Sequence, residues 1–328
     1  MAIIDVRTAL NQALDEEMER DDRVFLIGEE VAEYNGAYKI SKGLLDKYGP
    51  KRVIDTPISE SGFTGLSVGA AMMGLRPIVE YMSFNFSLVA IDQIISNASK
   101  MHYMTGGQFN VPIVFRGANG AAAQVSSQHS HAMESIFAYF PGIHVIAPSN
   151  AQDHKGLLKA AIRNDDPVIF LENEMLYGDQ MDFDDSNDEV IPIGKGRIHR
   201  PGDHVTVIAH SRMVKYAEQA AAELAKQEIS VEIIDPRTLK PVDMPLIAES
   251  VKKTNRVVVV EEGHDWCGIG AQYSHMIHSQ LWDYLDSPVV RVCQNENPMP
   301  YAKNLEAETL PSPDKIAKAI YDVAYLSA

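Results

Sequence analysis

Short, almost unbroken apolar runs alternate with longer segments of helical period along nearly the whole chain, and the alternation occurs in two successive stretches. A run such as Val24 to Gly28 or Val168 to Leu171 has no polar face, so it must be buried on both sides, as strands of a covered parallel sheet are. In the first stretch, strands are expected at Val24 to Gly28, Val53 to Thr56, Pro77 to Tyr81, Pro112 to Phe115, His144 to Ala147 and Val168 to Leu171. Helices are expected between them at Val6 to Glu19, Ser61 to Met73, Phe86 to Met101 and Ala151 to Arg163, the last preceded by the capping-box spacing of Ser149 and Gln152. This is an α/β pattern with a mostly parallel sheet, and ligands bind beyond the carboxyl ends of such strands.

The pattern breaks at MDFDDSNDE, Met181 to Glu189, where the sequence turns acidic and loses its period, as a solvated linker does. A second α/β stretch follows, with strands at Val205 to Ala209, Val231 to Ile234, Val257 to Glu261 and Val289 to Val292. Its helices are expected at Met213 to Lys226, Pro245 to Lys253, Gly270 to Tyr284 and Pro313 to Tyr325, with Ser312-Pro313 as an N-cap and first-turn pair. The expected plan is a first domain over 1–180, an acidic linker over 181–195 and a second domain over 196–328. A length of 328 residues suits two cores better than one.

Charge excludes some roles. Lys and Arg total 29 against 45 Asp and Glu, and a net charge of -16 repels phosphate backbones and anionic lipid. Nucleic-acid and membrane partners are therefore not expected, and no apolar run approaches the roughly 20 residues of a membrane span. Met1 to Asp22 is acidic and helix-like, unlike a targeting segment. The expected location is the bacterial cytoplasm, or an organellar matrix for a mature chain. Cys267 and Cys293 lie outside metal-ligand spacing and are read as buried, reduced thiols.

One motif invites a different reading. Gly268-Ile-Gly270-Ala-Gln-Tyr273 follows an apolar strand and opens a helix, close to a dinucleotide fingerprint. Tyr273 stands where that fingerprint needs a small residue for helix-to-strand packing. A helix-entry turn is the preferred reading, and a nicotinamide-dependent dehydrogenase is the rival.

The chemistry concentrates in Asp55-Thr-Pro-Ile-Ser-Glu60-Ser-Gly-Phe, leading into GLSVGAAMMG. Glu60 falls where a strand hands over to a helix, and a carboxylate near a helix N-terminus is stabilised by backbone N–H groups. Gly65, Gly69 and Gly74 leave the following helix smooth, at about 1 kcal/mol of helix propensity each, which points to close packing of another backbone.

DTPISESGF, the downstream FNFSLVAIDQ and QHSHA, and PRTLKPVD at Pro236 to Asp243, together resemble the β subunits of pyruvate dehydrogenase. Those subunits belong to the transketolase-like thiamin diphosphate family, and the resemblance covers essentially the whole chain. It implies a transketolase-like pyrimidine-binding domain followed by a transketolase C-terminal-like α/β domain that makes subunit and complex contacts. Glu60 matches the glutamate that bonds a ring nitrogen of the aminopyrimidine and favours the imino tautomer that deprotonates the thiazolium carbon. Phe86 matches the aromatic packed on that ring, although Phe86, Val89, Ala90 and Ile94 also share core-like helical spacing. His129 matches the active-site histidine that positions substrate and serves acyl transfer to a lipoyl group. His131, two residues on, is set aside from that role. The resemblance also implies a structural potassium ion on main-chain carbonyls at Ile113, Ala161, Ile162, Asn164 and Asp166. Asn164-Asp165-Asp166 departs from the family's Asp-Asn-Asn there, which carbonyl ligation tolerates.

What is missing is as informative. The superfamily holds the diphosphate through magnesium on a Gly-Asp-Gly motif and a later asparagine, but this chain has only Gly178-Asp179-Gln180 and Gly202-Asp203-His204. The resemblance therefore implies an α subunit that carries magnesium, an α2β2 heterotetramer sharing the cofactor, and a dihydrolipoyl acetyltransferase core as acceptor. The implied reaction is oxidative decarboxylation of pyruvate with reductive acetylation of lipoyl groups. Branched-chain 2-oxo acid and acetoin dehydrogenases share every residue above and remain open. A non-catalytic docking subunit is the alternative of another class, opposed by the presence of both Glu60 and His129.

Overall fold

Val24–Gly28 is buried at all five positions and Val168–Asn173 at all six, as strands covered on both faces are. The structure is a computed structural model that describes residues 2–186 and 188–324. The chain divides into two compact units, Met1–Asn119 with Ile136–Ile193 and Gly120–Ser135 with Gly194–Ala328.

In the first unit six strands pair in parallel in the order His144–Ile146, Val168–Asn173, Val114–Asn119, Arg76–Tyr81, Val24–Gly28, Val53–Asp55. The expected strands are present, Val24–Gly28 with the expected ends and the others with shifted ones. The one expected from Pro112 begins at Val114, since proline has no N–H to give a ladder. Helix Val6–Arg20 is capped by Asp5, which accepts from Thr8 N at 2.8 Å. It lies against helix Ala151–Arg163, with Lys159 on Glu16 at 2.8 Å and Arg163 on the fully buried Glu17 at 2.6 Å. The second helix is capped by Asn150, which accepts from Asp153 N at 2.9 Å, and not by Ser149. Gln152 instead accepts from Asp184 N.

Three expectations need correction here. The N-terminal residues before the first helix, Ala2–Asp5, form a strand antiparallel to Gln180–Phe183, so the acidic stretch opens as structure before it becomes loop. Neither partner signals this alone, because the pairing joins distant parts of the chain. Asn187, within that stretch, lies outside the described residues. The helix expected over Phe86 to Met101 is a 3₁₀ segment, Phe84–Ala90, then a π-helical turn, Gln93–Ala98, and a short α-helix, Met101–Met104. Serine hydroxyls compete with its backbone: Ser87 donates to Phe84 O at 2.6 Å and Ser99 to Ile95 O at 2.8 Å.

The second unit holds a five-stranded sheet in the order Val290–Gln294, Val257–His264, Val205–Ala209, Val231–Asp235, Arg197–Arg200, parallel except for the last. Arg197–Arg200 was not expected, being short and polar. Helices Arg212–Ala225, Met244–Thr254, Ile269–Leu281 and Pro313–Ala324 fall within a few residues of expectation. Ser312 caps the last through Lys315 N at 3.3 Å, while Tyr325 lies outside the described residues. Gly120–Ser135, expected inside the first domain, belongs to this unit, where Ala121 packs with Met299 and Leu310. Among the described residues no helix is long and apolar enough to cross a membrane.

One polar network sits inside the first sheet. Arg116 is fully buried and bidentate to Glu172 at 2.7 and 2.6 Å, with Glu80 on its other side. Tyr177 also donates to Glu172, at 2.8 Å. Burial opposes the guanidinium charge, but Glu172 and Glu80 outweigh it and hold the group protonated. Arg116→Met should therefore destabilise the unit by about 3–5 kcal/mol, because it strands two buried carboxyls. Urea unfolding measures this, and a loss under about 1 kcal/mol would show that the network contributes little to folding.

Candidate active site

The strand order of the first unit fixes where a ligand can enter. From Val24–Gly28 the chain moves outward to Val53–Asp55, then returns to the other side at Arg76–Tyr81. The carboxyl ends around that reversal form the crevice in which open α/β sheets bind ligands. Glu29 directly follows the first of these strands, and Glu60 begins helix Glu60–Met72 after the second. Gly28 permits the close approach at this point, since a Cβ there would stand 2.3 Å from the carbonyl oxygen of Glu80.

Asp55 fixes the loop that carries Glu29. Its carboxylate accepts from Ala32 N at 2.7 Å and Glu33 N at 3.0 Å, tying the segment after one strand to the end of the next. Glu29 and Glu60 are 6% and 7% exposed, too buried for either to be a solvated acid. Burial, then the charge of Glu60 and hydrogen bonding to it, push Glu29 up to about 7. Near neutrality the pair therefore retains a proton that isolated carboxyls would have lost. Glu29 Oε1 is buried with no partner among the described residues. An orphaned oxygen on one buried carboxyl, with a second buried carboxyl beside it, fits a heterocycle that carries both a ring nitrogen and an amino group.

Beneath the pair, Thr64 and Tyr81 share a hydrogen bond of 2.8 Å, and Tyr81 packs on Phe63 and Phe84. Phe84, fully buried, is the core aromatic of this segment, whereas Phe86 is only half-buried. Ala90 and Ile94 are core, but Val89 is 59% exposed, so the helical spacing of that set does not define one buried face. The smooth helix is used unevenly: a Cβ at Gly65 would meet the Gln93 side chain at 3.1 Å, while among the described residues outside the helix's own backbone nothing lies within 4 Å of one at Gly69.

His129 belongs to the second unit, at the end of the 3₁₀ turn Ser127–His129, and it is exposed. His131 lines a cavity of about 320 Å³ with Ser127, Ser130, His264 and Gln294. Burial, then the neighbouring imidazoles His264 and His129, lower its pKa.

The carbonyls considered for potassium already have donors. Ile162 O and Asn164 O accept from one Arg76 nitrogen at 3.0 and 2.9 Å, so a guanidinium sits at the end of this helix. Ile113 O accepts from Val168 N at 2.9 Å, Ala161 O from Asn164 N at 3.2 Å, and Asp166 O from the Asn164 side chain at 3.4 Å. A carbonyl keeps a second lone pair, so an ion could share the set. Among the described residues no group of three or more His, Cys, Asp or Glu could hold a metal.

The dinucleotide-like turn has an internal occupant. Gly270 N donates to Glu261 at 3.0 Å, and Cβ atoms at Gly268 and Gly270 would come within 2.5 and 2.6 Å of that carboxylate. The helix N-terminus that would take a pyrophosphate already holds a carboxylate of the same chain. Tyr273 is buried and donates to Leu239 O at 3.0 Å. Cys267 is exposed, contrary to the reading of both cysteines as buried, and Cys293 is half-buried with its thiol pushed up to about 12 by burial and Glu261.

Glu29 and Asp55 are the functional candidates that sequence reasoning missed. The only signal for Glu29 is its place directly after a strand, which becomes informative once the strand order is known.

Comparison with known proteins agrees with this architecture. Residues 2–180 match the family described as transketolase, pyrimidine binding domain, and residues 194–316 match transketolase, C-terminal domain. The chain is 54% identical to the pyruvate dehydrogenase E1 component subunit beta of Rickettsia bellii (strain RML369-C), over 98% of this chain and 99% of that protein. It is 52% identical to the mitochondrial protein of that name from Homo sapiens, over 97% and 89%. Among solved structures, a split gene transketolase described as an inactive beta4 tetramer superposes with a TM-score of 0.82 at 20% identity, covering 100% of both chains, which bears on fold alone.

The Glu29 shift has a measurable sign. Its carboxyl binds protons more tightly folded than unfolded, so its contribution to stability is retained below its ordinary value of 4.5 and lost as pH rises toward about 7. Glu29→Gln should flatten that part of the stability profile, read as Tm against pH. An unchanged slope would mean that Glu29 ionises normally.

Proposed function

The chain belongs to the family of pyruvate dehydrogenase E1 component β subunits, built on the transketolase pyrimidine-binding and C-terminal domains, and from that we propose that it is the β half of a thiamin diphosphate-dependent dehydrogenase that decarboxylates pyruvate and acetylates lipoyl groups. The observation that carries the reading is the buried Glu29–Glu60 pair at the strand-order reversal, with one carboxyl oxygen left unpartnered. Thiamin diphosphate, when bound, supplies the carbanion chemistry at its thiazolium carbon.

This chain's residues bind the pyrimidine end and govern one proton. Glu60 would share a proton with a pyrimidine ring nitrogen, and Glu29 beside it, pushed up to about 7, would still be partly protonated at neutral pH. The unpartnered Glu29 oxygen would accept from the amino group. Phe86, with part of its ring open, packs on the pyrimidine face. His129 serves acyl transfer from the second unit, and its exposure in the isolated chain suits a site completed by another subunit.

The remaining assignments follow from the family. An α subunit holds magnesium and the diphosphate, and two copies of each chain form an α2β2 heterotetramer around the shared cofactor. The first unit, 1–119 with 136–193, provides the pyrimidine site, and the second, 120–135 with 194–328, the contacts to other β chains and to a dihydrolipoyl acetyltransferase core. The net charge of -16 suits a basic docking module on that core. Potassium, where present, shares the carbonyls of Ile113, Ala161, Ile162, Asn164 and Asp166 with their existing donors. The setting is the bacterial cytoplasm or an organellar matrix.

Glu60→Gln keeps the side chain's shape and removes its acid. After reconstitution with the α subunit, the variant should assemble normally and lose pyruvate turnover by at least about 10²-fold, a typical size for a missing acid–base group. Assembly with unimpaired turnover would refute the assignment.

A further inference from the structure

We infer that Glu262 and Glu306 are positioning residues that hold the loop presenting His129, an inference that rests on the acyl-transfer role proposed for that histidine. Gly120 N donates to His131 O at 3.0 Å and closes the base of the loop. Past Ala121 and Ala122, which are buried, the segment from Ala123 to His129 has little cover. Two carboxylates take its backbone N–H groups: Glu262 Oε1 accepts from Ala121 N at 2.5 Å and Glu306 Oε2 from Gln124 N at 2.7 Å.

The conformation held in this way is not one the loop would adopt unaided. Gln124 and Ser126 have φ of +58° and +65°, in the left-handed region that residues other than glycine disfavour. His129 N donates to Ser126 O at 3.4 Å, and Ser130 Oγ to the same oxygen at 2.6 Å, so the turn carrying the imidazole is built on the strained Ser126. Gln124, two residues earlier, is fixed by Glu306. Ser126 Oγ also reaches Met299 O, at 3.3 Å.

Glu262 is 4% exposed. A buried carboxylate is costly unless its bonds are made, and hydrogen bonds to a charged acceptor are stronger than neutral ones. Both clamps come from the second unit: Glu262 from strand Val257–His264 and Glu306 from the short helix Lys303–Thr309. That unit is thereby given a part in the chemistry beyond subunit contacts, through the backbone that aims His129.

The test uses the full chain reconstituted with its α subunit, comparing Glu262→Ala, Glu306→Ala and Glu262→Gln with the parent. Amide hydrogen exchange over residues 121–130 should accelerate by about tenfold or more in both alanine variants, because the loop opens locally. Transfer to free lipoamide should fall by about tenfold in kcat, with KM for the 2-oxo acid within about twofold, since a misplaced group loses transition-state and not substrate binding. Turnover with an artificial electron acceptor, which bypasses acyl transfer, should hold. Glu262→Gln keeps an oxygen acceptor and should restore exchange and transfer to within about threefold of the parent. Unchanged exchange in the alanine variants would overturn the clamp. Faster exchange with normal lipoamide transfer would overturn its link to His129. If His129→Ala also transfers normally, the fault lies in the reading of the histidine and not in the clamp.

Discussion

Two carboxyls buried side by side where the strand order reverses are the constraint around which the first unit is organised. Burial, then the charge of Glu60 beside it, raises Glu29 to about 7, so this carboxyl still holds a proton in part near neutrality. Keeping them there requires a glycine at the end of one strand, an aspartate clamp from the next, and a helix that begins on Glu60 itself. Chemistry is thus concentrated at one end of the sheet, while the buried Arg116 network ties together three neighbouring strands.

The second unit resolves a similar problem differently. Its own reversal point, between Val205–Ala209 and Val257–His264, is filled from within: His210 pairs with Glu134 at 3.7 Å, and Glu261 occupies the amino end of helix Ile269–Leu281. A fold that binds nucleotides in other settings has here closed that crevice with its own side chains. The same unit grips the loop that carries His129, through Ala121 N and Gln124 N.

Much of the fold was legible in the sequence, because doubly buried strands leave long apolar runs and helices leave caps. Val24–Gly28 and Val205–Ala209 agree with expectation at both ends. The parts that were not legible depend on partners far along the chain. Ala2–Asp5 is a strand only because Gln180–Phe183 lies beside it, and Gly120–Ser135 joins the second unit through distant residues such as His210, Glu262, Met299 and Glu306. The site divides in the same way. Glu60 stood out from its surroundings, whereas Glu29 gains meaning only from a strand order that local pattern does not encode. The serines within 84–99 carried no marker separating an α-helix from the 3₁₀ and π turns that form there.

The proposed chemistry turns on a contact between a buried carboxyl and a bound ring. It is tested most directly by a crystal structure of the reconstituted α/β complex with thiamin diphosphate. A pyrimidine ring nitrogen at about 2.6–3.2 Å from the Glu60 carboxyl, with Glu29 behind it, is the predicted result. A pyrimidine turned away from Glu60, or cofactor and magnesium bound wholly by this chain without its partner, would contradict it.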